Sequence, residues 1–121
     1  MIMNVVVLGA SDNPDRYSYR AVQSLLNNGH TVFPVGIKKS AVLGIQIINS
    51  KDPLPDIHTI TLYVGPYNQK EWFSFILQTA PKRLIFNPGT ENLELIELAK
   101  QNGIEVEEAC TLVMLATNQF E

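Results

Sequence analysis

An α/β fold of the Rossmann-like, doubly wound kind, with a mainly parallel five-stranded sheet and helices on both faces, is what three features of this sequence predict. Short β-branched runs alternate with stretches of helical spacing along the chain. The first run leads straight into a glycine turn at Gly9. Strand, helix and strand are complete within about 30 residues, the length of a βαβ unit.

The elements follow in order. Asn4 to Leu8 is a β-branched run suited to a strand buried on both faces of a parallel sheet. Gly9-Ala10-Ser11-Asp12-Asn13-Pro14-Asp15 breaks it with loop-forming residues. From Ser18 the spacing is helical, with Ala21, Val22, Leu25 and Leu26 on one face and Gly29 as the stop. Thr31 to Val35 is a second buried strand, and Gly36-Ile37-Lys38-Lys39-Ser40 leaves it. Ile45 to Ile48 suits a small extra strand and Asp52 to Asp56 a proline loop, so the crossover to the third strand, His58 to Val64, is largely non-helical. Asn68, with Glu71 three residues on, matches a capping box opening a helix that buries Trp72, Phe73, Ile76 and Leu77. Arg83 to Phe86 is the fourth strand. A helix from Asn92 to Asn102 follows, burying Leu93, Ile96 and Ala99 and stopping at Gly103. Ile104 to Glu107 is the fifth strand, and the apolar stretch from Cys110 to Thr117 is a short docked helix.

Composition narrows the function classes. With 121 residues and 45% apolar content, residues 1–121 are expected to form one domain around one core. The net charge of −3 lacks the basic excess that drives non-specific nucleic-acid binding. Cys110 is the only cysteine, which leaves no intramolecular disulfide or cysteine metal cluster and suits a reducing compartment. The N-terminal run has no basic flank, and no apolar run approaches the ~20 residues that span a bilayer. The expected setting is cytoplasmic, with no membrane or nucleic-acid partner. No Ser/His/Asp order, paired carboxylates or metal-ligand spacing stands out, so no catalytic residue is assigned. Cys110 is expected to pack as a small hydrophobe, His30 to be exposed, His58 to lack a partner, and Trp72 to serve helix packing.

Open parallel sheets bind ligands outside the carboxyl ends of the strands, where strand order reverses. Four loops converge there: Gly9 to Asp15, Gly36 to Ser40, Val64 to Tyr67, and Asn87 to Thr90. Gly9, Ala10 and Ser11 have little side-chain bulk and let the backbone approach a phosphate, with the helix start near Ser18 adding amides and Arg16 a positive charge. The loop is not the dinucleotide fingerprint, because the second and third glycines are replaced by Ser11 and Pro14. The second strand ends on Lys38 and Lys39 rather than the acid that reads the ribose of NAD. The pattern therefore disfavours NAD and suits a nucleotide with an extra ribose phosphate, NADP or coenzyme A. A reductase-like NADP-binding protein and a ligand-free scaffold of the same fold both stay open.

Several segments carry a family resemblance: Val-Val-Val-Leu-Gly-Ala-Ser (5–11), Ser-Tyr-Arg-Ala-Val (18–22), and Gly-His-Thr-Val-Phe-Pro-Val (29–35) with Lys38. Leu43-Gly44, Leu54-Pro55-Asp56, the Gly-Ile-x-Val ending at Val106, and Cys110 continue it. In this order the chain resembles the small stand-alone CoA-binding domain proteins, which are similar to the N-terminal domain of the succinyl-CoA synthetase alpha subunit. The resemblance implies that Gly9, Ala10 and Ser11 cradle the pyrophosphate of coenzyme A or an acyl-CoA. Asp12 and Asn13 would lie in the same loop, with Arg16 and Ser18 nearby. It implies that Lys38 serves the phosphorylated ribose and that Val64, Gly65 and Pro66 face the adenine side. Asn87, Pro88, Gly89 and Thr90 lie at the same edge. Two departures stand out: Gly36 and Ile37 replace the usual Asn-Pro, and Asn87-Pro88-Gly89-Thr90 stands where many members carry Gln-x-Gly. The ligase domains that carry a phosphorylated histidine in the synthetases lie outside the resemblance, which points to a non-catalytic binding or regulatory module. A protein partner or a homodimer stays open.

Overall fold

The computed structural model describes the whole chain, Met1–Glu121. Its elements are β1 (Asn4–Leu8), α1 (Tyr17–Asn27), β2 (Thr31–Val35), β3 (Ala41–Val42), β4 (Ile45–Gln46), β5 (Thr59–Leu62), α2 (Pro66–Gln69), α3 (Phe73–Thr79), β6 (Arg83–Phe86), α4 (Leu93–Gln101), β7 (Glu105–Glu108) and α5 (Thr111–Ala116). Five strands form one parallel sheet in the order β2-β1-β5-β6-β7, while β3 and β4 make a separate hairpin. This is the Rossmann-like α/β fold that the alternation of elements predicts. No helix is long and apolar enough to cross a membrane.

Strand side chains alternate between two faces, and each face has its own core. Val6 and Leu8 of β1 join Ile60, Leu62, Leu84 and Phe86 against Phe75, Ile76 and Leu95. Val5 and Val7 join Val32 and Ile85 against Val22, Leu25, Met114 and Leu115. All these strand residues are buried, so β1 reads as a continuous apolar run rather than an alternating one.

Local physics overrides the sequence pattern in four places. The capping box at Asn68 is not used: the helix starts earlier, at Pro66, with Gly65 as the extended cap. Proline's fixed φ is preorganised for the first helical position, and Asn68 becomes an interior residue whose amide donates to the Gly65 carbonyl at 3.0 Å. A 3₁₀ turn over Lys70–Trp72 then joins α2 to α3. In α4, Asn92 does cap the helix, accepting from the Glu94 amide at 3.1 Å. Leu93, at the first helical position, is nevertheless 72% exposed, and Leu95 is the fully buried residue instead. The stripe facing the sheet therefore runs through Leu95 and Ala99, one helical turn apart.

His30 is the third correction: it is buried, not exposed. Gly29, at φ +85°, reverses the chain, and the imidazole swings under Phe120, with ring centroids 5.3 Å apart. Its Nδ1 accepts the Met3 amide at 3.1 Å, which fixes the proton on Nε2, 3.6 Å from a Glu121 carboxylate oxygen. His58, for which the sequence offers no partner, has Nδ1 2.7 Å from the Thr59 hydroxyl. The fourth is the extra strand expected over Ile45 to Ile48. Ile45 and Gln46 pair with Ala41 and Val42 as the hairpin, while Ile48 bridges Val35 in parallel. The crossover from β2 to β5 is otherwise non-helical, as the sequence predicts.

Burial lowers the His30 pKa from its ordinary 6.5, opposed by Glu121 and reinforced by the N-terminal amine and Arg83. His58 shifts the same way, through burial and the positive charges of Arg83 and Lys82. In the window below about 6.5 the unfolded chain thus binds more protons than the folded one. Stability is full above that window and falls as pH drops through it. Denaturant unfolding at several pH values between about 7.5 and 5 checks this. His30→Asn, whose Oδ1 can still accept the Met3 amide, should reduce the fall; an undiminished fall would place its origin elsewhere.

Candidate functional site

The chain leaves β1 toward β2 on one side and returns to β5 on the other, so strand order reverses between β1 and β5. A cleft of about 610 Å³ opens at the carboxyl ends there. Four segments converge on it: Gly9–Ser11 with Asn13, Arg16, Tyr17 and Ser18; Gly36–Lys38; Tyr63–Gly65 with Asn68, Glu71 and Trp72; and Pro88–Thr90.

The loop after β1 is shaped by close backbone contact. Gly9 has φ +96°, and a Cβ there would lie 2.9 Å from the Tyr63 carbonyl carbon and 2.9 Å from Val64 Cγ2. Only glycine fits both the torsion and the space. The Gly9 and Ala10 amides both donate to the Val35 carbonyl, at 2.8 and 3.1 Å. These two amides fasten the loop to β2, so any ligand amides come from further along. Short side-chain turns carry the chain on: Ser11 Oγ accepts the Asn13 amide at 3.1 Å, and Asn13 Oδ1 accepts the Asp15 amide at 3.0 Å. The following helix α1 starts after Arg16, with no side-chain cap and no acid in its first turn. Its first-turn amides and positive dipole end therefore lie open at the cleft, beside buried Ser18.

The second loop packs directly on the first. A Cβ on Gly36 would come 3.3 Å from both the nitrogen and oxygen of Ala10, a physical reason for glycine at this position. Lys38 Nζ lies 3.6 Å from Asp12 Oδ1, and the Ser40 hydroxyl donates to Asp12 Oδ2 at 2.8 Å. The Ser40 hydrogen bond, then the Lys38 charge, holds the Asp12 carboxyl below its usual range.

Three residues expected at the ligand stand elsewhere. Asp12 does not line the cleft but ties the first loop to Lys38 and Ser40. Pro66 is the exposed start of α2 and lies outside the lining. Asn87 is buried: Nδ2 donates to the Thr61 hydroxyl at 2.6 Å and the Leu62 carbonyl at 2.8 Å. Its Oδ1 accepts the Thr111 amide at 2.8 Å. Asn87 thus joins β5, β6 and α5. Gly9, Ala10, Ser11, Asn13, Arg16, Ser18, Lys38, Val64, Gly65, Pro88, Gly89 and Thr90 do come together at the cleft.

The structure adds residues that the sequence reading did not single out, Ile37 among them although its loop was expected at this edge. Tyr17 and Ile37 are exposed at the rim, and Tyr63, Asn68, Glu71 and Trp72 form the wall beside β5. Trp72 also packs edge-on against Phe75 at 5.8 Å, so the expected packing role and the wall position coincide. Glu71 is held by Lys51 at 3.2 Å. The Tyr63 hydroxyl is buried without a partner, and burial pushes its pKa up to about 12. Cys110 is half-buried at the start of α5, outside the lining.

Two substitutions test this construction through denaturant unfolding. Gly9→Ala should cost about 2 kcal/mol or more, from the forced torsion and the contact with Tyr63. Asn87→Ala should cost about 3 kcal/mol by leaving the buried Thr111 amide unpaired. Losses below about 0.5 kcal/mol, the range of ordinary surface changes, would contradict the roles given to these residues.

Known proteins resemble the chain along most of its length. A solved structure of an uncharacterized protein is 46% identical, with a TM-score of 0.97 and coverage of 99% of both chains. A hypothetical protein from Pyrococcus horikoshii OT3 is 25% identical with a TM-score of 0.85, covering 97% of this chain and 83% of that one. The dinucleotide-forming acetyl-coenzyme A synthetase 1 of Ca. Korarchaeum cryptofilum, solved with phosphate and ADP, shares the fold at a TM-score of 0.72 and 18% identity. The match covers 88% of this chain and 25% of the synthetase chain. Residues 3–116 match the family described as CoA binding domain, and the chain belongs to that family.

Proposed function

We propose that this protein binds coenzyme A or an acyl-CoA in the cleft between the β1, β2, β5 and β6 loops, and acts as a binding or regulatory module without chemistry of its own. The observation that carries the reading is the uncapped amino end of α1, which opens on the cleft between Arg16 and Lys38. Membership in the CoA binding domain family supplies the ligand class.

The residues present fit such a ligand. The pyrophosphate meets the first-turn amides of α1, where unsatisfied donors and the helix dipole favour negative charge. Gly9 lets the loop lie close against Tyr63 and Val64 at the end of β5, where any side chain would collide. Arg16 adds a charge-assisted contact. Lys38, on the separate β2 loop, is placed for a second anionic group, the 3′-phosphate of the ribose. The acids near the cleft are already partnered: Glu71, in the lining, with Lys51, and the Asp12 carboxylate, behind the lining, with Lys38 and Ser40.

Thermal unfolding with CoA, dephospho-CoA, acetyl-CoA, NADP and NAD in parallel tests the reading. A ligand at one hundred times its dissociation constant adds about 2.7 kcal/mol to the folded state. CoA should raise the midpoint more than dephospho-CoA, and NAD should leave it in place. Lys38→Ala should weaken CoA about tenfold while changing dephospho-CoA little, the order expected for one charge-assisted contact. A larger shift with NADP than with CoA would move the protein to the reductase-like reading, and no shift with any nucleotide would overturn both.

A further inference from the structure

Lys38 is a flexible, half-exposed side chain on a loop, and a point charge of that kind discriminates poorly unless its backbone is fixed. The structure supplies the fixing from a residue remote in sequence. After β2, backbone pairing continues briefly with the crossover segment: the Ile48 amide donates to the Pro34 carbonyl at 2.8 Å, and the Gly36 amide donates to the Ile48 carbonyl at 3.0 Å. Backbone pairing ends there. Asn49 takes it over with its side chain, Nδ2 donating to the Gly36 carbonyl at 2.8 Å and to the Lys38 carbonyl at 2.9 Å. The far end of the same turn is held at Ser40, whose carbonyl accepts the Ile47 amide at 2.9 Å and Gln46 Nε2 at 3.0 Å.

We infer that Asn49 is a positioning residue that sets specificity for the 3′-phosphorylated ribose by clamping the Gly36–Lys38 turn, so that the Lys38 ammonium stands at the cleft before ligand arrives. The inference rests on the CoA reading above and deepens it. Both Nδ2 hydrogens are used on the two carbonyls that bracket Ile37, so the clamp acts on the peptide units that aim Lys38. Asp12 contributes to the same placement from the opposite loop, 3.6 Å from Nζ. That pair is solvent-exposed and contributes little by itself, which leaves the backbone clamp as the principal constraint. The same rigidity means that a ligand meeting Lys38 loses less conformational freedom on binding, the usual source of affinity from preorganisation. Asn49 is exposed and outside both core clusters, so its replacement leaves the core intact.

The experiment is calorimetric titration of CoA and dephospho-CoA into the full chain, unsubstituted and carrying Asn49→Ala, Lys38→Ala or both. Asn49→Ala should weaken CoA about fivefold, within the range of one neutral hydrogen bond, and dephospho-CoA less than about twofold. On the Lys38→Ala background the Asn49 change should have no further effect, because the positioned group is gone. Asn49→Ser, which keeps one donor, should fall between the parent and Asn49→Ala. Equal losses for both ligands, or the same loss without Lys38, would overturn the inference and make Asn49 a fold residue only. Unchanged CoA affinity in Asn49→Ala would overturn it as well, while leaving the CoA reading standing. Failure of the unsubstituted protein to bind CoA would overturn the CoA reading itself, and this inference with it.

Discussion

The Val35 carbonyl accepts two amides at once, from Gly9 and Ala10, and the geometry of the cleft follows from that shared contact. To reach one acceptor, consecutive amides have to turn sharply off the end of β1. The turn needs φ +96° at Gly9, with no atom where a Cβ would meet Tyr63 and Val64. The loop is thereby pressed between the ends of β2 and β5, and the chain emerges pointed toward the start of α1. Gly36 closes the contact from the other side, its Cα lying so near Ala10 that a side chain would crowd the backbone. Two glycines at the ends of neighbouring strands thus bring two loops into backbone contact, and the first turn of α1 beyond them keeps its uncapped amides.

The two edges of the sheet treat polar groups differently. At the amino edge most of them are consumed internally, with Arg83 Nη2 left buried and unpartnered. Arg83 is buried, with Nε donating to the Thr59 hydroxyl at 3.0 Å, Nη1 to the Phe120 carbonyl at 2.7 Å, and its guanidinium 4.5 Å from the Phe120 ring centroid. His30 lies under the same ring. That edge is a structural joint, with the Arg83 charge held by hydrogen bonds, by the Glu107 carboxylate at 3.4 Å and by aromatic packing. At the carboxyl edge the donors of α1 stay unpaired and the basic side chains stay exposed. Asn87 is the boundary between the two regimes: a polar residue at the ligand edge whose side chain is spent inward on Thr61, Leu62 and Thr111.

The fold was legible in the sequence because periodicity reports burial, and the three central strands, β1, β5 and β6, are buried on both faces. The loops at the cleft were legible because glycine, small residues and lysines fall at strand ends, where this topology gathers them. What escaped was decided by contacts between distant segments. His30 follows a helix-stop glycine, a position that suggests exposure, and nothing local announces that Phe120 will cover it. Asn87 sits in a turn-forming string, yet its amide is claimed by a threonine on the neighbouring strand β5. The capping box at Asn68 lost to a proline two positions earlier, a local competition in which preorganised backbone prevailed. Asn49 carries no motif at all; its reach to Gly36 and Lys38 exists only once the crossover has folded back along β2.

The most direct measurement of the ligand geometry is amide NMR of the ¹⁵N-labelled protein during titration with CoA. The largest shifts should fall on Ser11, Tyr17, Ser18, Tyr19 and Lys38, with the Thr111 amide and the His30 region nearly unmoved. Shifts centred on the amino edge, or a first turn of α1 that does not respond to CoA, would contradict an anion site built from the uncapped helix and the glycine-tight loop.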